Sequence, residues 1–241
     1  MPHPYIPRTL LWAAVPVFLL RADVCNDLPE APADAIRQDR NPRVATSFRL
    51  SVHPGGPAFR VTLRPFSSES TDPNVRVHSG DIEVARCSDG QRVQVIAVTS
   101  YPVFDVLTTF HARDINFDGY LDLAVLWDFG GKWGSESWRV FDPGQGKFVQ
   151  NELTRQLREL KAADYQFDPQ KREISTRYLS EPWGCGGTGN RYRVEENRLV
   201  LVHEEAVSSR PSGCTVTVRD RVNGAMRVTE VRRFVDGKRV R

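Results

Sequence analysis

Asp114-Ile115-Asn116-Phe117-Asp118-Gly119-Tyr120-Leu121-Asp122, running without a break into Leu123-Ala124-Val125-Leu126-Trp127, is the stretch on which the fold turns. The first nine residues read D-x-N-x-D-G-x-x-D. Oxygen-bearing side chains recur at alternate positions, a glycine follows, and a further carboxylate closes the series. That spacing wraps a loop around a hard cation, most simply Ca²⁺, which takes about six to eight oxygen ligands at roughly 2.3–2.6 Å. Asp114, Asn116 and Asp118 each supply a side-chain oxygen, Tyr120 a backbone carbonyl, and Asp122 a direct or water-mediated ligand. Gly119 suits the sharp turn because it has no Cβ to clash at positive φ.

The loop departs from an EF-hand. Position twelve is Val125 where a bidentate Glu would stand, and the residues after Gly119 alternate and then become continuously apolar. That pattern predicts an exiting strand, not an exiting helix. An acidic turn that only accepts hydrogen bonds from its own backbone is the alternative reading of the same residues.

Working outward, strand signals dominate. Phe48-Arg49-Leu50-Ser51-Val52 and Phe59-Arg60-Val61-Thr62-Leu63 alternate strictly around His53-Pro54-Gly55-Gly56-Pro57. Ile82–Val84 and Val93–Val98 flank Ser88-Asp89-Gly90, and Trp138–Phe141 and Lys147–Val149 flank Asp142-Pro143-Gly144-Gln145-Gly146, both hairpin signals. Ile174–Leu179, Arg191–Glu195, Leu199–His203, Thr215–Arg219 and Val228–Val235 continue the series. Only Asn151–Leu160 reads as a helix, with Leu153, Leu157 and Leu160 on one face. We expect an all-β chain of antiparallel sheets, in a sandwich or small propeller-like arrangement, with one short helix and the calcium loop before a central strand.

The first 22 residues read as an export signal: Arg8, then an apolar core Leu10–Leu20 that is too short for a span of about 20 residues. Residues 23–43 are rich in Pro, Ala and charge and read as an exposed leader. Residues 44–241 read as one β-rich domain. Removal of the signal takes the formal charge from +3 to +1, which gives nucleic-acid binding little global support. The four cysteines, Cys25, Cys87, Cys185 and Cys214, favour disulfides in an exported chain. Of the three connectivities, the positions of Cys185 and Cys214 around one strand pair favour Cys185–Cys214. Cys25–Cys87 would then pin the start of the mature chain to the first sheet. The compartment expected is periplasmic or secreted.

No G-x-S-x-G, H-E-x-x-H or phosphate loop is present. Glu195-Glu196 and Glu204-Glu205 are adjacent strand residues facing opposite sides, so neither pair converges on one atom. We therefore expect a binding protein, not an enzyme.

Val93-Gln94-Val95-Ile96, the loop and its strand, Trp138-Arg139-Val140-Phe141 with Phe148, and the later Tyr192 and Asn197-Arg198-Leu199-Val200 together resemble a family of bacterial periplasmic proteins. These are related to the inhibitors of invertebrate-type lysozyme. The group includes immunity proteins that neutralise lysozyme-like effectors delivered by type IV secretion systems of Xanthomonas-type bacteria. The resemblance runs from about Gly80 to His203. It implies an exported, calcium-bound β fold that blocks a peptidoglycan hydrolase by inserting a loop with an S-G-x-x-Y pattern into the active site. Thr188-Gly189-Asn190-Arg191-Tyr192 fits that pattern, with Thr in place of Ser. In this reading Trp183 and Tyr192 are aromatic anchors, Arg191 pairs with a carboxylate of the cleft, Thr188 offers its hydroxyl and Gly189 a flexible backbone N–H. A calcium-stabilised adhesion or scaffold module of the cell envelope is the other reading.

Overall fold

The computed structural model describes residues 23–31, 46–64, 67–68, 78–100, 110–130, 133–160, 164–178, 188–210, 213–235 and 238–240. Among them the chain forms three antiparallel sheets in sequence order. The first contains β1 (Thr46–Ser51), β2 (Ala58–Leu63), β3 (Ser67–Ser68), β4 (His78–Arg86) and β5 (Arg92–Ser100), ordered β1-β2-β4-β3 with β5 also paired to β4. The second is the meander β6 (Phe110–Arg113), β7 (Asp122–Gly130), β8 (Trp133–Asp142) and β9 (Lys147–Val149). Helix α1 (Glu152–Glu159) follows. The third is a seven-stranded meander of β10 (Asp164–Asp168), β11 (Glu173–Tyr178), β12 (Thr188–Glu195), β13 (Arg198–Arg210), β14 (Gly213–Val222), β15 (Ala225–Val235) and β16 (Lys238–Val240).

The second sheet is shared between two cores. Phe48, Leu50, Val52, Phe59, Val61, Ile82 and Val84 from the first sheet pack against Leu123, Phe141 and Phe148. On the other side Ala124, Trp138 and Val140 pack against Leu153 and Leu157 of α1 and against Ile174 and Val194 of the third sheet. Consecutive residues Leu123 and Ala124 thus enter different cores, because alternate strand residues point to opposite faces. A strand buried on both faces needs the continuous apolar run seen in the sequence. The layers are consistent with a sandwich of antiparallel sheets.

Helix α1 begins where its cap predicts. The Asn151 side chain accepts from Thr154 N–H while the Thr154 hydroxyl accepts from Asn151 N–H. This reciprocal cap satisfies two amides that the first turn leaves without partners.

The start of the expected leader is tied to the first sheet. Over residues 23–31, Cys25 is bonded to Cys87, Val24 N–H donates to the Cys87 carbonyl, and Ala31 N–H and the Pro29 carbonyl bond the backbone of Arg49. The expected Cys25–Cys87 pairing is present, so the Cys25 sulfur is already committed. Cys214 is also disulfide-bonded. Cys185, its expected partner, lies outside the described residues, as does the signal segment 1–22.

Candidate metal centre

The loop between β6 and β7 is closed by short-range bonds that follow from the residue types. Asp114 accepts from Asp118 N–H (3.1 Å) and Gly119 N–H (2.9 Å), and Asp118 accepts from Tyr120 N–H (2.9 Å). The Asn116 oxygen accepts from Asp118 N–H (3.3 Å), and its amide nitrogen donates to Asp118 (2.8 Å). Phe117 and Gly119 both sit at positive φ, 59° and 92°. Gly119 occupies that region without the steric cost Phe117 carries. The side-chain oxygens therefore fold back over the loop's own backbone, as three alternating Asx residues ahead of a glycine should.

Asp122 behaves differently. It is fully buried, and its two oxygens accept from Ile115 N–H (2.9 Å) and Phe141 N–H (2.8 Å). Through these two bonds Asp122, expected as a direct or water-mediated ligand, ties the start of the loop to β8. Burial pushes its carboxyl up to about 8, against the two amides that favour the charged form, and the negative Asp118 and Asp114 add to the rise. Burial likewise raises Asp114, opposed by the Gly119 and Asp118 amides and reinforced by the Asp118 charge.

Among the described residues, no Lys or Arg pairs with Asp114, Asp118 or Asp122. The nearest cationic side chain bonded to the loop, Arg172, donates to the Asn116 carbonyl (3.2 Å). Three acidic groups, two of them at least partly desolvated and none neutralised, form a donor set of oxygens only. That chemistry fits a hard divalent cation held by Asp114, Asn116, Asp118 and the Tyr120 carbonyl, with Asp122 behind them. Among the described residues, acidic and Cys ligand atoms crowd within 4.8 Å of one another at Asp23, Cys25 and Cys87. There the two sulfurs are bonded to each other, so that cluster is a disulfide and not a metal site.

The loop also touches all three sheets. Leu121 N–H donates to the Val52 carbonyl at the end of β1 (2.7 Å), and the Tyr120 ring lies between His53 (5.0 Å) and Phe141 (5.6 Å). Asn116 donates to the Asn197 side chain in the β12–β13 turn (3.2 Å). Asn197 and Arg172 were not assigned a role from sequence. Their only local signal is the turn in which each sits, at φ 58° and 54°.

The residues expected to form an inserting loop occupy other positions. Thr188, Gly189, Arg191 and Tyr192 run within β12, paired to β11 on one side and, from Gly189 onward, to β13 on the other. Tyr192 stands opposite Ile174 and Leu201 on the core side, half-buried, and its hydroxyl accepts from Asn190 (3.2 Å). Burial raises its phenol pKa. Arg191 points the other way and lies 3.8 Å from Glu173, which Arg193 also approaches at 3.4 Å. Trp183, with the rest of 179–187, lies outside the described residues. His111 is buried against Trp138, edge to face at 5.1 Å.

Fold and loop together define an all-β protein of three packed sheets joined at an acidic turn of calcium-loop form. No protein-family model matches the chain, and no curated protein matches it. Among solved structures it is similar to a Xanthomonas type IV secretion system related protein, with a TM-score of 0.54 and 16% identity over 82% of this chain and 98% of that one. The likeness is one of fold. No described helix is long and apolar enough to cross a membrane.

Proposed function

We propose that this chain is a periplasmic inhibitor, an immunity protein that blocks a lysozyme-like peptidoglycan hydrolase, and that Ca²⁺ holds its central loop. The observation that carries this reading is the likeness in fold, across nearly the whole of the other chain, to a protein of the type IV secretion context. The Cys25–Cys87 disulfide supports an oxidising compartment, where such bonds persist. The loop supports calcium through its oxygen donors and unneutralised charge.

The contact surface proposed is the β11–β12 region. Arg191, partly exposed and held by a long ion pair to Glu173 with the Asp220 charge also near, is the side chain there best placed to reach a carboxylate of a glycosidase cleft. Thr188 and Gly189, at the start of β12, belong to the same proposed surface. Tyr192 supports it from the core side.

The test is direct. Purified residues 23–241 are added to a panel of lysozyme-type hydrolases acting on peptidoglycan, with calcium and with chelator. Inhibition of at least one enzyme, reduced about tenfold or more by Arg191→Ala with no change in melting temperature, supports the reading. Uninhibited lysis across the panel sinks it. Binding to an envelope surface component with no effect on lysis would favour the adhesion or scaffold module instead.

A further inference from the structure

The C-terminal ribbon carries a charge and a surface that neither the loop nor the inhibitor reading uses. Residues 219–241 hold eight Lys and Arg against three Asp and Glu, net +5 where the whole chain is +3, so the other 218 residues are net −2. Strand register fixes which of these residues share a face. Thr217 pairs with Val231, Arg219 with Val228, Arg221 with Met226, and Arg233 with Val240, while Val235 pairs with Lys238. Met226, Val228, Val231, Arg233, Val235, Lys238 and Val240 therefore line one side of β15–β16. The register through β13 and β12 places it on the side that carries Tyr192 and Val194 into the core.

Further along the sheet that side is not covered. Val228 is 56% exposed, Val231 50%, Val235 41% and Val240 38%. Four branched aliphatics in one row are more than the scattered apolar residues of an ordinary surface. The turn at Asn223-Gly224, with φ of 52° and 80°, has both central residues left-handed, as a tight hairpin requires.

The cations among these valines are largely unpaired. Arg232 and Arg239 meet Glu205 or Glu230, and Arg219 meets Glu204. On the valine side, among the described residues, Arg233 and Lys238 have no acidic partner and Arg221 bonds only the carbonyls of Leu201 and Gly224, while Arg227, opposite Asp220, lies on the other side. A second copy of the chain would bring like charges together on this face. A protein partner would be expected to find aromatic anchors. The described side chains of this row include no aromatic ring, and the groove beside it is lined by the aliphatic and cationic side chains of Val231, Arg233, Arg239 and Val240. A flat aliphatic row set among unpaired cations matches an anionic bilayer surface, which attracts clustered Lys and Arg and takes small apolar side chains at its boundary.

We propose that the Val228–Val231–Val235–Val240 face of β15 and β16 docks peripherally on an anionic phospholipid surface. The test is co-sedimentation of residues 23–241 with vesicles of phosphatidylglycerol and phosphatidylcholine at about 30:70, against pure phosphatidylcholine. Binding to the anionic vesicles alone is expected, lost at 0.5 M salt because surface charges are screened. Each unpaired cation near the surface is worth roughly fivefold in partition. Arg233→Glu should therefore weaken binding by about tenfold or more, and Val231→Asp by a comparable factor. Both positions are at the surface, so the melting temperature should hold for each variant. Overturning results are no binding to the anionic vesicles, equal binding to both lipids, or unchanged binding by both variants. Saturable binding of soluble polyglutamate with no vesicle binding also overturns the lipid assignment, in favour of an acidic protein. Lysozyme inhibition plays no part in these readouts.

Discussion

Replacing Asp122 separates its role from that of the other loop acids. Asp122→Ala removes the acceptor of two buried amides, Ile115 N–H and Phe141 N–H. Each orphaned donor costs about 1–3 kcal/mol, so two at the middle of a conservative range come to about 3 kcal/mol. Removing a carboxyl whose charged form burial, Asp114 and Asp118 all disfavour returns part of that, which is why the low half of the range is used. In a domain of this size about 1 kcal/mol moves Tm by ~2–4 °C, giving a fall of ~6–12 °C. The fall should be the same in chelator as in calcium, because the amides are orphaned either way. Asp118→Ala offers the contrast. Asp118 is exposed and accepts only from Tyr120 N–H and Asn116, so its loss should move the chelated Tm by ~1–4 °C while abolishing any rise on adding calcium. Thermal melts of both variants in each condition decide the matter. An Asp122→Ala protein that melts with the parent in chelator would refute the tether, and an Asp118→Ala protein that still responds to calcium would refute the ligand assignment.

Three further outcomes follow from the same structure. Calcium at about a hundred times its Kd should stabilise the parent by ~2.7 kcal/mol, read as a Tm rise that chelator reverses. The Cys25–Cys87 bond closes a separation of 62 residues, for which chain entropy gives about 4 kcal/mol; a Cys25→Ser/Cys87→Ser protein should melt correspondingly lower and lose most of the parent's sensitivity to reductant. Tyr192→Phe removes only the hydroxyl that Asn190 bonds and should cost ~1 kcal/mol or less in a denaturant melt, whereas Tyr192→Ala opens the core side of β12 and should cost about 2–4 kcal/mol.

The parts legible in sequence are those decided by local pattern. Strict alternation at Phe48–Val52 and Phe59–Leu63, the apolar run after Gly119, and the Asn151 cap with leucines at helical spacing each carry one dominant signal, and each is found where the pattern puts it. Short strands with mixed patterns were not legible: β6 is four residues, Phe110–Arg113, and β10 reads Asp-Tyr-Gln-Phe-Asp, flanked by charge. The end of β13 was also missed, because Glu204–Arg210 is polar on both faces and is held by β14 and not by its own hydrophobicity. The site divides in the same way. Spacing along the loop marks Asp114, Asn116 and Asp118 as parts of one turn, yet the tether role of Asp122 depends on Phe141, nineteen residues on, and the Asn197 and Arg172 contacts come from still further away. The S-G-x-x-Y match failed as a loop predictor for a related reason: a five-residue pattern does not say whether its Tyr faces solvent or, as Tyr192 does, a packed core.

The loop's position explains why an acidic turn with no cation of its own is worth keeping at the centre of this fold. Val52 from the first sheet, Phe141 from the second and Asn197 from the third each make a hydrogen bond to residues 116–122. Each sheet is otherwise built from one contiguous stretch of sequence, so the chain folds as three sequence-contiguous units whose mutual placement rests on the two cores and this junction. Hydrophobic contact holds layers together but is non-directional, and it sets their relative angle weakly. Directional bonds from one rigid turn to all three layers supply that angle. A divalent ion drawn to Asp114 and Asp118 would stiffen the turn and, through Asn116 and Asp122, all three attachments at once. Loss of the ion should therefore appear first as increased amide exchange at Ile115, Leu121 and Phe141, whose N–H groups sit at the turn or its contacts, before any strand of the three sheets opens. Uniform exchange across β1–β16 on chelation would mean that the turn is an ornament on a frame that stands without it.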